Sequence, residues 1–313
     1  MKIVYMGTPE FSVAPLKKIV EEGKHEVIAV CTNPDKPTGR KQILTACPVK
    51  VYAQSVGIPV YQYKRIREEG VGDLKSLVPD IIVTCAFGQI LSAEIIDIPK
   101  FGVINVHASL LPKYRGASPI HYAILNGETK TGVTVMKTDI GIDTGDMIAK
   151  RETDIFPEET CGELFDRLSI LGSEMIGGVL DGIERGEVSY IKQDDSQATY
   201  SKIIKKEDAN IDFSKDAKSI VNLVRAFNPS PIAYAFLDGQ PLKIYKASVG
   251  KSVETRYNDF GKVVSTDGGK IEVACNGGTV LIDSLQKSGG KMMLAKDFLN
   301  GNKDVLGKSL IKE

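Results

Sequence analysis

Two short stretches hold most of the residues that could move a proton or donate to a developing negative charge. The first, GVINVHASLLPKYRGASPI from Gly102 to Ile120, contains His107, one of only three histidines among 313 residues. Read as a strand, GVINVH sets Asn105 and His107 two residues apart and so on one side, an amide donor beside an imidazole near the carboxyl end. A turn carrying Pro112, Arg115 and Gly116 follows. Polar groups at the end of an apolar strand need partners when buried, and active sites of open α/β sheets gather at that end. The second stretch, TDIGIDTGDM from Thr138 to Met147, places Asp139, Asp143 and Asp146 in a glycine-broken loop between two strand-like runs. One of these carboxylates could fix the tautomer of the imidazole and make it a better proton carrier near neutrality. Residue types and spacing leave two readings open. One is a catalytic group; the other is a satisfied core histidine, a structural asparagine and a turn whose aspartates bond their own backbone.

The elements that must position these residues alternate in kind. KIVYMG, HEVIAVCT, IPVYQY and DIIVTCAF read as strands, and VAPLKKIVEE, VKVYAQSVG and GDLKSLV between them as amphipathic helices. This rhythm predicts an α/β fold, a doubly wound parallel sheet covered by helices. GVINVH, GVTVMKT and GDMIAKRE add further strands. Leu164, Leu168, Leu171, Met175, Val179 and Ile183 recur at three- and four-residue spacing, which predicts one helix from Thr160 to Arg185 with Thr160 and Glu163 as a capping box. After Gly186 the stretch EVSYIKQDDSQATYSKIIKKED is polar and aperiodic, as an interdomain connection would be. The expected organisation is a catalytic domain over residues 1–186, a linker over 187–205 and a second domain over 206–313. In the second domain, AKSIVNLVRAF reads as a helix, and short strands broken at Asp238-Gly239 and Gly268-Gly269 predict a small, OB-like β-barrel.

Several functions are excluded at this stage. GTPEF opens a helix after the first strand but lacks the second and third glycines of GxGxxG, so a nicotinamide dinucleotide is not expected there. Neither a P-loop pattern nor GxSxG occurs. The five cysteines (Cys31, Cys47, Cys85, Cys161 and Cys275) form no CxxC pair, and neither disulfides nor a metal site is expected. No segment approaches the roughly 20 apolar residues of a membrane span, and the first residues lack a cleavable leader pattern, so a cytoplasmic location is expected. Residues 201 to 313 carry 18 Lys and Arg against 13 Asp and Glu, an excess of +5 that leaves −5 for the first 200. That asymmetry suits a polyanionic partner, and equally a solvated lysine-rich face.

Asn105, His107, SLLPKYRGASPI and GIDTGDM together resemble the formyltransferases that use 10-formyltetrahydrofolate. GTPEFS, NPDKPTGR at 33–40, CAFGQIL at 85–91 and RAFNPSP at 225–231 agree with that family in order, so the resemblance covers nearly the whole chain. It implies a Rossmann-like catalytic domain followed by an OB-like domain. RAFNPSP and LQKSGGKMMLAKDFLNG point to the branch that formylates methionyl initiator tRNA for translation initiation. Asn105, His107 and Asp143 would then be the catalytic set. Phe87, Gly88, Gln89, Ile90 and Leu91, with Ser109, Leu110, Leu111 and Pro112, would line the folate pocket. Arg40 and Lys41 would reach the tRNA, no metal would take part, and a monomer is the favoured state.

Overall fold

Runs of β-branched and other apolar residues build the first sheet. In the computed structural model, which describes residues 1–39 and 41–311 (Tyr257 by its backbone alone), seven strands join. They are β1 (Lys2–Gly7), β2 (Glu26–Thr32), β3 (Val60–Gln62), β4 (Ile81–Cys85), β5 (Val103–His107), β6 (Lys130–Lys137) and β7 (Met147–Asp154). Their order is β7-β6-β5-β4-β1-β2-β3. The first five pair in parallel, whereas β6 runs antiparallel to both its neighbours. Every residue of β4 is buried, as a central parallel strand covered on both faces requires. The strand order reverses between β1 and β4, and the carboxyl ends of β1, β4 and β5 share the edge where ligands of such sheets bind.

One face of the sheet packs Val4, Met6, Ala29, Ile82 and Val103 against Ile66, Leu74 and Ile95. The helices include α1 (Val13–Glu22), ended by Gly23 in the left-handed region, and α2 (Cys161–Arg185). The expected capping box stands at the start of α2. The Thr160 N–H donates to Glu163 Oε2 (2.8 Å) and the Glu163 N–H to Thr160 Oγ1 (3.3 Å). Leu168, Ile176 and Leu180 of α2 are fully buried. Gly172 sits so close to the sheet that an added Cβ would stand 2.9 Å from Val106.

By its contacts the chain divides into two units. The first holds Met1–Pro119, Lys130–Asp154 and Phe165–Lys202, and the second Ile120–Thr129, Ile155–Leu164 and Ile203–Glu313. This division differs from boundaries at 186 and 206. The stretch expected as a linker is tied into the first unit as far as Lys202: Ile191 bridges Met147, and Tyr200–Ser201 pairs in parallel with Arg115–Gly116. Among the described residues no helix is long and apolar enough to cross a membrane.

The second unit is built on β8 (Tyr234–Leu237), β9 (Gln240–Val249), β10 (Val263–Ser265), β11 (Ile271–Cys275), β12 (Gly278–Lys287) and β13 (Met293–Leu294). The strands run β8-β9-β12-β11-β10, with β13 on β12, and all pairs are antiparallel. Asp238 and Gly239 make the two-residue turn between β8 and β9, with φ of 51° and 72°. Gly268 and Gly269 lie in the short 3-10 turn between β10 and β11. The segment from Gly307 to Leu310 joins the two edges of the sheet: the Phe236 N–H donates to Leu310 O (3.0 Å), and the Val263 N–H to Lys308 O (2.9 Å). The sheet thereby closes as a barrel. Ile220 and Val224 of α3 (Ala217–Ala226) enter the barrel core beside Ile244, Ile271 and Leu285.

Candidate active site

Parallel pairing of β5 with β4 places Asn105 opposite Thr84 near the carboxyl edge. The single Thr84 hydroxyl hydrogen is shared between Asn105 Oδ1 (3.0 Å) and the Ile104 carbonyl (3.1 Å). This orientation turns Asn105 Nδ2 toward Asp143 Oδ1, 3.4 Å away. An amide nitrogen carries two hydrogens, so one remains to donate elsewhere.

His107, only 6% exposed, donates from Nε2 to the Tyr114 carbonyl at 3.0 Å, because a carbonyl can only accept. Nδ1 therefore holds the lone pair of the neutral ring, and it faces Asp143 Oδ2 at 3.5 Å. When Nδ1 takes a proton, the new N–H points at a carboxylate. Asp143 Oδ2 also accepts the Gly116 N–H at 2.7 Å. The three residues expected as the catalytic set thus meet at one place.

The loop that brings Asp143 there depends on its neighbours. Asp143 has φ of 53°, a left-handed conformation unusual for a residue with a side chain. Gly145 passes so near the Lys137 carbonyl that any Cβ would collide with it, and a Cβ at Gly116 would strike the Ser201 carbonyl. Asp139 Oδ1 accepts from the Gly141 N–H (3.0 Å) and from the Thr144 hydroxyl (2.6 Å), the self-bonded turn that was the alternative for this loop. The two readings are divided between two residues of one loop: Asp139 shapes the turn and Asp143 faces the histidine.

The residues expected at the folate pocket lie after β4 and β5, on adjacent carboxyl ends. Ile90 is 69% exposed, Gly88 is exposed, and Leu91, Leu110 and Pro112 are half-buried, so these offer surface to a ligand. Phe87, Ser109 and Leu111 are buried and offer little surface. Gln89 is committed to the loops. Its Nε2 donates to Asn33 Oδ1 (2.7 Å) and the Tyr63 carbonyl (2.8 Å), and its Oε1 accepts the Ile66 N–H (2.8 Å). The Ser109 hydroxyl donates to the Lys113 carbonyl at 2.6 Å, and burial pushes the Cys85 thiol up to about 12. Neither is an available nucleophile. Lys41 is exposed in the turn between the short strands Lys36–Thr38 and Ile43–Thr45. Arg40 lies outside the described residues.

The spacing of motifs did not single out Gln193. It is buried, and its Nε2 donates to the Asp143 carbonyl (2.8 Å) and the Gly145 carbonyl (2.7 Å). Its Oε1 accepts from Arg115 Nε (3.0 Å), and Arg115 Nη2 donates to Asp195 at 2.7 Å. Burial opposes the Arg115 charge, but hydrogen bonds with Asp195 and Tyr200 outweigh it and hold its pKa above the ordinary value. No motif in the sequence marks Gln193; its burial with Arg115 appears only in the structure.

The family described as formyl transferase matches residues 1–180, and its C-terminal domain matches residues 203–303. The chain is 48% identical to a methionyl-tRNA formyltransferase of Geotalea uraniireducens over 314 residues, covering 100% of this chain and 99% of that protein. A methionyl-tRNA formyltransferase of Lachnospira eligens is 45% identical, with 96% and 97% covered. Among solved structures, an N-formyltransferase from Helicobacter canadensis shares the fold at a TM-score of 0.67 and 22% identity, with 92% of this chain and 99% of that chain covered. HypX from Aquifex aeolicus, solved with tetrahydrofolic acid, shares it at 0.65 and 17% identity, with 96% and 47% covered.

Proposed function

We propose that this chain, which belongs to the formyl transferase family, carries the formyl group of 10-formyltetrahydrofolate to the α-amino group of methionyl initiator tRNA. The observation that carries the catalytic reading is the meeting of Asn105, His107 and Asp143 at the carboxyl end of β5. The donor supplies an activated formyl carbon beside Ile90, Leu91, Leu110 and Pro112, whose apolar surface excludes water from a group prone to hydrolysis.

The chemistry asks little of a nucleophile on the enzyme. The amine of an aminoacyl ester is less basic than an ordinary α-amino group, whose pKa is about 7.7 to 8.0, because the ester withdraws electrons. It attacks the formyl carbon directly, without a metal and without Ser109 or Cys85. The free hydrogen on Asn105 Nδ2 donates to the oxygen on which negative charge develops. His107 works through Nδ1, since Nε2 is taken by Tyr114. The proton released by the amine is taken up by the Asp143 carboxylate and His107 Nδ1, which face one another, and is returned from that pair to the departing N10. All three residues come from one chain, so a monomer suffices, and the setting is translation initiation in the cytoplasm.

Incubation with labelled 10-formyltetrahydrofolate and charged initiator tRNA tests the acceptor, with amino sugar nucleotides in parallel. Label transferred to methionyl-tRNA is the expected result. Transfer to the sugar alone would overturn the assignment of the acceptor and leave the catalytic set standing.

A further inference from the structure

The stretch from Ile191 to Ser201 touches both partners of His107. On one side, Gln193 spends both its amide hydrogens on the Asp143 and Gly145 carbonyls. On the other, the Tyr114 N–H donates to Thr199 Oγ1 (2.8 Å) and the Arg115 N–H to the Thr199 carbonyl (2.8 Å). Tyr114 and Asp143 both have positive φ, 59° and 53°. Left-handed backbone at residues with side chains costs roughly 1–3 kcal/mol each and persists only where the surroundings hold it. These hydrogen bonds hold it, and Arg115, 1% exposed, fixes the Gln193 side chain in turn.

We infer that Gln193 is a positioning residue for formyl transfer, setting the Asp143 carboxylate at its place beside His107 Nδ1 by clamping the backbone on either side of Thr144. The inference rests on the proposed role of Asp143. Gln193 itself is buried, with both amide hydrogens given to the loop and Oε1 accepting from Arg115, so it acts through the loop.

The test is a double-mutant cycle with Gln193→Met, which keeps the length and loses both donors, and Asp143→Asn. Single-turnover rates and KM for both substrates are measured on the full chain. Misplacing a catalytic group by about 1 Å can cost on the order of a hundredfold, so Gln193→Met should lose about ten- to a hundredfold in the transfer rate. KM for each substrate should stay within about twofold, and in the Asp143→Asn background the same change should cost less than about threefold. An equal loss in both backgrounds, a loss confined to KM, or an unchanged rate would overturn the inference. Should Gln193→Met fail to fold, Gln193→Glu enters the same cycle. It keeps the acceptor for Arg115 and turns oxygen toward the two carbonyls, and the same outcomes decide. If Asp143→Asn alone keeps the full rate, the catalytic reading falls. If Asp143→Asn is impaired and Gln193→Met is not, only this inference falls.

Discussion

At the scale of single residues, the proposed mechanism separates groups that would meet the reacting atoms from groups that hold them. On the proposed mechanism Asn105→Ala removes a donor to the developing oxyanion, and loss of such a donor costs about 10² to 10³ in kcat. Steady-state kinetics should show that loss with KM nearly unchanged; a defect in KM alone would mean Asn105 only positions substrate. On the same mechanism His107→Ala removes the ring that shares the proton with Asp143, so turnover should collapse while folate binding, followed by fluorescence or calorimetry, persists. Near-normal kcat in that variant would remove His107 from the mechanism. Residue types and spacing could not choose among the three aspartates of the loop, and only the family resemblance pointed to Asp143. The choice depends on the left-handed backbone at Asp143 and on the turn that consumes Asp139, and neither is written in residue types. Asn105 and His107 were legible because a strand's period of two puts them on one side whatever their surroundings.

At the scale of elements, local rules succeeded where interactions are local. The capping box of α2 involves residues three apart and was readable as a motif. Thr160→Ala should cost about 1 kcal/mol, measured by urea denaturation. The Thr160 backbone N–H, and then its hydroxyl, hold the Glu163 carboxyl below its ordinary value of 4.5. A lowered folded pKa stabilises above the unfolded value and is lost as pH falls through the folded one. The stability difference between the native chain and Glu163→Gln should therefore be present at neutral pH and vanish in acid. A constant difference across that range would assign it to something other than charge. Gln193 shows the opposite case. Its partners lie 50 and 48 residues away, so a polar, aperiodic stretch gave no hint that it braces a loop. The closing segment from Gly307 to Leu310 was equally silent, since GKSL carries no alternation.

At the scale of the whole molecule, the second unit draws on residues from three separate parts of the chain. Within it, Arg225 donates to the Phe156 carbonyl (3.2 Å) and the Glu159 carbonyl (2.9 Å), the Gly162 N–H donates to the Asn228 carbonyl (3.0 Å), and His121 stands against Phe227. Ending the chain at Lys202 strips Ile120–Thr129 and Ile155–Leu164 of these partners. Such a protein should melt well below the full chain in calorimetry; an equal melting temperature would mean those interactions are idle. Recognition of tRNA is better tested on the full chain. Lys291 and Lys296 are exposed within residues 201 to 313, the part of the chain with the excess of Lys and Arg, and replacing both with alanine should flatten the log-log salt dependence of tRNA binding by about 0.7 to 0.9 for each phosphate that a lysine no longer neutralises. An unchanged slope would place the tRNA surface elsewhere. The barrel's closure also fixes an order of synthesis. Residues 307 to 310 are made after both edges they join, whereas all seven strands of the first sheet have been made by Asp154. On the ribosome the first sheet can therefore assemble early, while a nascent chain paused short of Gly307 leaves the outer edges of β8 and β10 without the segment that joins them, the kind of surface that chaperones shield and that aggregates when left uncovered.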